Sequence, residues 1–143
     1  MLSKLKKYQN LDIRSLIDQS IRDNEKTILT LNQDQMYEKG VMDVDSPSHR
    51  EHYAKGTVYQ KKKKARYKKT DFVTLKWDGD FYSTMKIIHF NDRFVIAADD
   101  FKWANWLEPN DRFGKALGLT DKSKSILRDI VRTDILRRIR NAV

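Results

Sequence analysis

Three groups of residues in this chain have side chains that could do chemistry. His49 and His52 lie three apart, with Asp43 and Asp45 just upstream, a set of metal-ligand types. Asp78 and Asp80 flank Gly79, and Asp99 and Asp100 close the following stretch. Two such acidic pairs could hold divalent ions for nuclease chemistry. The third group is the run from Lys61 to Lys69, with seven positive charges in nine residues and Tyr59 and Tyr67 beside it. It could contact phosphates while the tyrosines stack on bases.

The first two groups have simpler readings. The histidines fall in a turn-rich segment without the helical His-Glu-x-x-His spacing, so they are expected to be surface residues. The aspartates sit at a turn and at a strand exit, where carboxylates hydrogen-bond the local backbone. His89 lies on the apolar face of a strand and is read as a satisfied structural histidine. The chain has no Walker lysine motif, dinucleotide fingerprint or Gly-x-Ser-x-Gly elbow. It has no cysteine, which excludes a disulfide framework, a thiolate metal site and a cysteine nucleophile. Neither an enzyme nor a cofactor, metal or small-molecule substrate is expected. Two readings of the basic run stay open: a phosphate-contacting segment formed by Lys61, Lys62, Lys63, Lys64, Arg66, Lys68 and Lys69, or a solvated stretch whose like charges repel.

The elements that position these residues follow from patterning. At 143 residues with 39% hydrophobic and 34% charged residues, the chain is expected to form one domain with a modest core. Its net charge of +9 favours polyanionic partners. No apolar run approaches the roughly 18 residues of a membrane span, and the N-terminal residues lack the apolar region of a secretory leader. Ile13, Leu16, Ile17, Ile21 and Ile28 recur at helical spacing, predicting an amphipathic helix over Leu11–Leu31 capped by Asn32. From Gln33 to Lys55 the period dissolves into turn formers. This predicts a loop longer than the usual limit of about 12–15 residues, mobile or ordered by a partner.

Thr57–Tyr59 and Phe72–Leu75 read as short strands. Asp71–Ala98 is the richest stretch in β-branched and aromatic residues and contains a hairpin, Met85–Ala98, turning at Asn91-Asp92. Pairing across that turn puts Met85, Ile87, His89, Phe94, Ile96 and Ala98 on one face, the better candidate for the core. The other carries Lys86, Ile88, Phe90, Arg93, Val95 and Ala97, too apolar to be simply wet. Gly114–Gly118 reads as a short link, and Thr120 caps a last amphipathic helix to about Arg140. The predicted fold is α+β: a small antiparallel sheet with a central hairpin, packed against an N-terminal and a C-terminal amphipathic helix.

Val73-Thr74-Leu75-Lys76-Trp77-Asp78-Gly79-Asp80-Phe81-Tyr82, followed by a hairpin, resembles the leucine–turn–glycine–aromatic signature of tailed-bacteriophage neck and tail-completion proteins. Phe113-Gly114-Lys115-Ala116-Leu117-Gly118-Leu119-Thr120, with its closing helix, is similar to their phenylalanine-glycine and leucine-glycine-leucine segment. The likeness spans roughly Tyr53 to the C-terminus, and the first helix matches in type. It departs at Asp78, where threonine usually precedes the glycine, and in the doubled Trp103 and Trp106. The resemblance implies a non-enzymatic virion protein, one subunit of a ring in the neck or tail, assembled in the host bacterial cytoplasm. Its implied neighbours are portal, connector or tail-tube proteins, with non-specific DNA contact through the basic residues. Ile88, Phe90, Val95, Trp103 and Trp106 are then the candidate subunit-interface residues. The alternative is a small basic nucleic-acid-binding protein acting through Lys61–Lys69.

Overall fold

The computed structural model describes residues 12–99 and 113–142. The order of elements is α1 (Ile13–Asp23), α2 (Glu25–Lys39), α3 (Lys55–Lys64), α4 (Asp80–Ser83), β1 (Lys86–His89), β2 (Phe94–Ala97), a 3-10 turn (Gly114–Ala116) and α5 (Asp121–Ala142). The fold is α+β, a two-stranded antiparallel sheet among helices, as the patterning predicts.

The predicted first helix is two. Asn24 leaves helical geometry, and its side chain donates to Ser20 O at 2.7 Å, which ends α1 before α2 begins at Glu25. Asn32 is not a cap: α2 runs on to Lys39 and stops at Gly40, whose φ of 66° is left-handed. A Cβ at Gly40 would come within 2.5 Å of the Phe72 ring, so glycine is required there for space as well as for conformation. The apolar period fades after Ile28 because the inward positions of the last turns are polar. Asn32 and Gln35 are buried beside Met36.

Those two amides hold the closing segment. Asn32 Nδ2 donates to Ala116 O at 2.9 Å, and Gly118 N donates to Asn32 Oδ1 at 2.8 Å. Gln35 Nε2 donates to Gly118 O at 3.0 Å and its Oε1 accepts from Thr120 N at 3.0 Å. Thr120 Oγ1 in turn accepts from Ser123 N at 3.2 Å, so the predicted cap of the last helix is present.

The rest of the predicted long loop, 40–54, is tied to the fold by contacts within the chain. Val41 and Met42 are buried, Val44 N donates to Lys115 O at 3.0 Å, and Arg50 Nε donates to Lys39 O at 2.8 Å. Thr57–Tyr59 is not a strand but the middle of α3, since the following Gln-Lys run is helix-forming and outweighs three β-formers. Phe72–Leu75 is not a strand either. Its polar groups are taken singly: Val73 N by Glu51 O at 2.8 Å, Thr74 N by Tyr53 Oη at 3.1 Å, and Thr74 O by Tyr82 Oη at 2.5 Å. Leu75 then turns through a φ of 57°, which no ladder accommodates.

The hairpin has the predicted register, with Ile87 opposite Ile96 and Ile88 opposite Val95. Phe90 N donates to Arg93 O at 2.8 Å across Asn91-Asp92. Ile96 is buried with Phe81, Tyr82, Met85, Ala116, Leu119 and Leu127 in one core, against which Ile87 and Phe94 pack. His89 is bonded to Glu25 of α2, the structural role expected for it.

α1 lies along α5. Arg138 bridges Asp23 and Asp134, and Arg137 reaches Asp134 at 2.5 Å. The buried Ser20 hydroxyl beside Asp134, short of full hydrogen-bond geometry, then Arg137 and Arg138, hold that carboxyl at about 2 against its usual 3.8.

Two outcomes follow from these contacts. Asn32→Asp keeps the shape but removes the donor to Ala116 O and adds a buried charge. Urea unfolding should show a loss of about 1–3 kcal/mol or more, with an unchanged m-value. The Asp134 contribution is fully present above pH 3.8 and is lost as pH falls from 3.8 towards 2, because the unfolded chain takes up the proton first. Melting temperatures of the native chain and Asp134→Asn should therefore differ near neutrality and converge towards pH 2.

Candidate functional site

The basic run is where residue chemistry and surface coincide, and the fold divides it. Val58 and Lys61 of α3 and Ala65 just after it follow at helical spacing on the inner side. Lys61 is 0% exposed. Its Nζ donates to Lys69 O at 2.5 Å and to Thr74 Oγ1 at 3.4 Å, and it lies 5.1 Å from the centre of the Tyr53 ring. Among the described residues no carboxylate pairs with it. Burial, the largest effect, holds its pKa below the usual 10.5; the neighbouring Tyr53 works against this and the like charge of Lys69 adds to it.

Lys69 and Lys76 also turn onto aromatic faces. Lys69 Nζ is 4.7 Å from the Phe72 ring centre and 5.1 Å from that of Tyr37. Lys76 Nζ sits among Tyr67, Tyr37 and Tyr82 at 4.2, 4.7 and 4.9 Å. Ring quadrupoles stabilise these cations where water is scarce. Burial, then the neighbouring Tyr53 and Tyr37, raises the pKa of Tyr82, which stays a neutral donor to Thr74 O.

Lys61 is therefore not a polyanion contact but part of the core, and Lys69 is half-buried against its rings. Lys62, Lys63, Lys64, Arg66 and Lys68 remain exposed. Lys62–Lys64 occupy the last turn of α3, where cations suit the helix dipole. Lys68 Nζ donates to Lys62 O at 2.7 Å, closing that end. Tyr59 is 62% exposed with Lys63 5.7 Å from its ring centre, and Arg66 lies 5.7 Å from that of Tyr67. None of these five cations forms an ion pair among the described residues. A cationic patch with one open aromatic ring can bind a phosphate chain without reading its sequence.

The second candidate surface is the outer face of the hairpin. Ile88 and Val95 are each 40% exposed and Phe90 is 48% exposed, adjacent across the strand pair. Trp103 and Trp106, the other candidate interface residues, lie outside the described residues, as does Asp100.

The remaining candidates are dispersed. His49 pairs with Glu51 at 3.3 Å, while His52 Nδ1 contacts Asp71 O at 3.1 Å. Asp78 Oδ1 accepts from Asp80 N at 3.1 Å, the turn role expected of it, and Asp99 pairs with Lys86 at 2.5 Å. No group of three or more His, Asp or Glu residues among the described residues could hold a metal ion. No described helix is long and apolar enough to cross a membrane.

Sequence reasoning missed the inward turn of Lys61. The signal was its helical spacing from Val58 and Ala65, together with four tyrosines (Tyr37, Tyr53, Tyr67 and Tyr82) able to receive lysines. Comparison with protein-family models, with curated proteins and with solved structures found no match for this chain.

The two kinds of lysine should separate on mutation. Lys61→Gln should lose about 1–3 kcal/mol in thermal or urea unfolding, because Lys69 O and Thr74 lose their buried donor. The triple change Lys62→Gln, Lys63→Gln, Lys64→Gln should alter stability by no more than about 0.5 kcal/mol. The same triple variant should flatten the log–log salt dependence of binding to duplex DNA by roughly 2–3 units, whereas Lys61→Gln leaves that slope unchanged.

Proposed function

We propose that this chain is a non-enzymatic structural protein of a phage virion, a subunit of an oligomeric ring in the neck or tail that joins head to tail or completes the tail. The observation that carries the reading is the outer face of the hairpin. Ile88 and Val95 stand opposite one another in the ladder with Phe90 just beyond β1, three exposed apolar side chains of the kind that a neighbouring subunit covers. The two segments behind the phage resemblance support it further. Val73, Phe81 and Tyr82 of the first pack into one core with Ala116 and Leu119 of the second, although they are far apart in the chain.

Under this reading the exposed cations of the α3 region face the DNA passing through the ring or an acidic neighbour, and the partners are portal, connector or tail-tube proteins. Assembly takes place in the host bacterial cytoplasm and ends in the virion. A second reading, a small basic nucleic-acid-binding protein, is favoured by Lys62–Lys64, Arg66 and Lys68, which are exposed and form no ion pair among the described residues, and by the exposed Tyr59 against Lys63. DNA binding without any assembly would decide for it.

The ring reading is tested by expressing the chain alone and with the neighbouring virion proteins, followed by light scattering and negative-stain electron microscopy. Rings are expected, and Phe90→Glu with Val95→Glu should reduce the assembled fraction at least about tenfold, since a charge in an apolar interface costs more than 1.4 kcal/mol. Far-ultraviolet circular dichroism of the variant should match the parent. A chain that stays monomeric in every combination would sink the reading.

A further inference from the structure

A second apolar surface lies on the other side of β2. A groove of about 810 Å³ runs between β2, α1 and α5, with Ile21, Phe94, Ile96, Leu127, Val131 and Ile135 along its floor and walls. Its charged rim is one-sided. Arg93, Lys124, Arg128 and Arg132 border it against Asp92 alone. These four cations are exposed and make no ion pair among the described residues.

One wall of the groove is an open strand edge. β2 has β1 as its sole strand neighbour among the described residues. The Phe90–Arg93 bond fixes the alternation of the ladder, so the N–H and C=O groups of Phe94 and Ile96 point away from β1. No hydrogen bond from another described residue occupies them. An edge left unpaired by the described residues is a template for one more strand, and Phe94 and Ile96 reach the groove from it.

We infer that this groove receives an extended segment of another protein, with alternating apolar and acidic residues, which adds to the edge of β2. Its backbone pairs with Phe94 and Ile96, its apolar side chains face inward to Leu127 and Val131, and its carboxylates face the mouth of the groove, within the sweep of the long exposed side chains of Arg93, Arg128 and Arg132. Strand addition of this type takes affinity from main-chain hydrogen bonds and specificity from alternate side chains. A helical occupant would leave the strand edge unpaired. A second copy of this chain, meeting the groove with the same rim, would set the same four cations face to face. A nucleic acid would place phosphates over an apolar floor. The inference does not depend on the ring reading: that reading rests on the outward side chains of Ile88, Phe90 and Val95, and this one on the free edge of β2 and the groove beside it, although Val95 borders both.

The test is a titration of the full-length, nitrogen-15-labelled chain with synthetic peptides, followed by amide shifts and hydrogen exchange. The probes are an alternating valine–glutamate peptide, an alternating valine–lysine peptide and a leucine–glutamate peptide of helical period. The valine–glutamate peptide should shift the amides of residues 94–96 and slow exchange at Phe94 and Ile96 by at least about tenfold at millimolar concentration. The lysine peptide should bind at least about tenfold more weakly, and the preference should invert in the Arg128→Glu, Arg132→Glu variant. Both substitutions are at exposed positions, and circular dichroism verifies that the fold is kept. The inference is overturned by unchanged exchange at Phe94 and Ile96, by equal binding of both charge signs, or by tighter binding of the helical peptide. Contacts of the Trp103 or Trp106 indoles with Phe94 in the free protein would also overturn it, by showing that the chain fills its own groove. So would protection of β2 that grows with protein concentration alone.

Discussion

Two buried side-chain amides decide how this chain closes. Asn32 and Gln35 project from α2 into the core and satisfy the backbone of residues 116, 118 and 120, more than eighty residues away. A buried backbone group without a partner costs as much as a lost hydrogen bond, so this segment has few other places to lie. The contact sets the start of α5 through Thr120, and α5 then lies along α1. The groove walls and the Arg138–Asp23 bridge both follow from that placement.

Thr74 plays a comparable part on the other side of the core. Fully buried and outside any sheet, it gathers Tyr53, Lys61, Lys76 and Tyr82 around its backbone and hydroxyl. Side chains do here what strand pairing does elsewhere, which is why residues 65–79 can be irregular and still well packed. The cost is a buried ammonium, offset by the Lys69 carbonyl, the Thr74 hydroxyl and the face of Tyr53. The run of lysines is thereby split between a structural cation and an outer patch.

The hairpin separates two surfaces of different chemistry. Its inner face belongs to the core, its outer face carries Ile88, Phe90 and Val95, and the edge of β2 opens on a groove rimmed by cations. A two-stranded sheet has no interior strand, so both edges and the outer face must be covered by something or tolerated by water. Among the described residues, the outer face and the edge of β2 are the parts of the sheet left without a strand or helix over them.

Much of this was legible in the residues. Alternation in Met85–Ala98 and the Asn91-Asp92 turn determined the hairpin, its register and its inner face, because a strand has a period of two and one face must leave water. Spacing of apolar residues made helix legible over 13–31 and in α5, and Thr120 marked where the last helix begins. The break at Asn24, the continuation of helix from 32 to 39, the contacts that hold residues 40–54 and the burial of Lys61 were decided only by tertiary structure. Asn32, Gln35 and Lys61 read as solvent-facing on any residue scale, and they become interior only when a distant carbonyl, amide or aromatic ring is brought to meet them. Phe72–Leu75 failed as a strand for the same reason, since its hydrogen-bond partners are one carbonyl, of Glu51, and the hydroxyls of Tyr53 and Tyr82 rather than a neighbouring strand. Apolar pattern is a local property written in the chain, whereas the satisfaction of a buried polar group depends on partners that only the folded chain assembles.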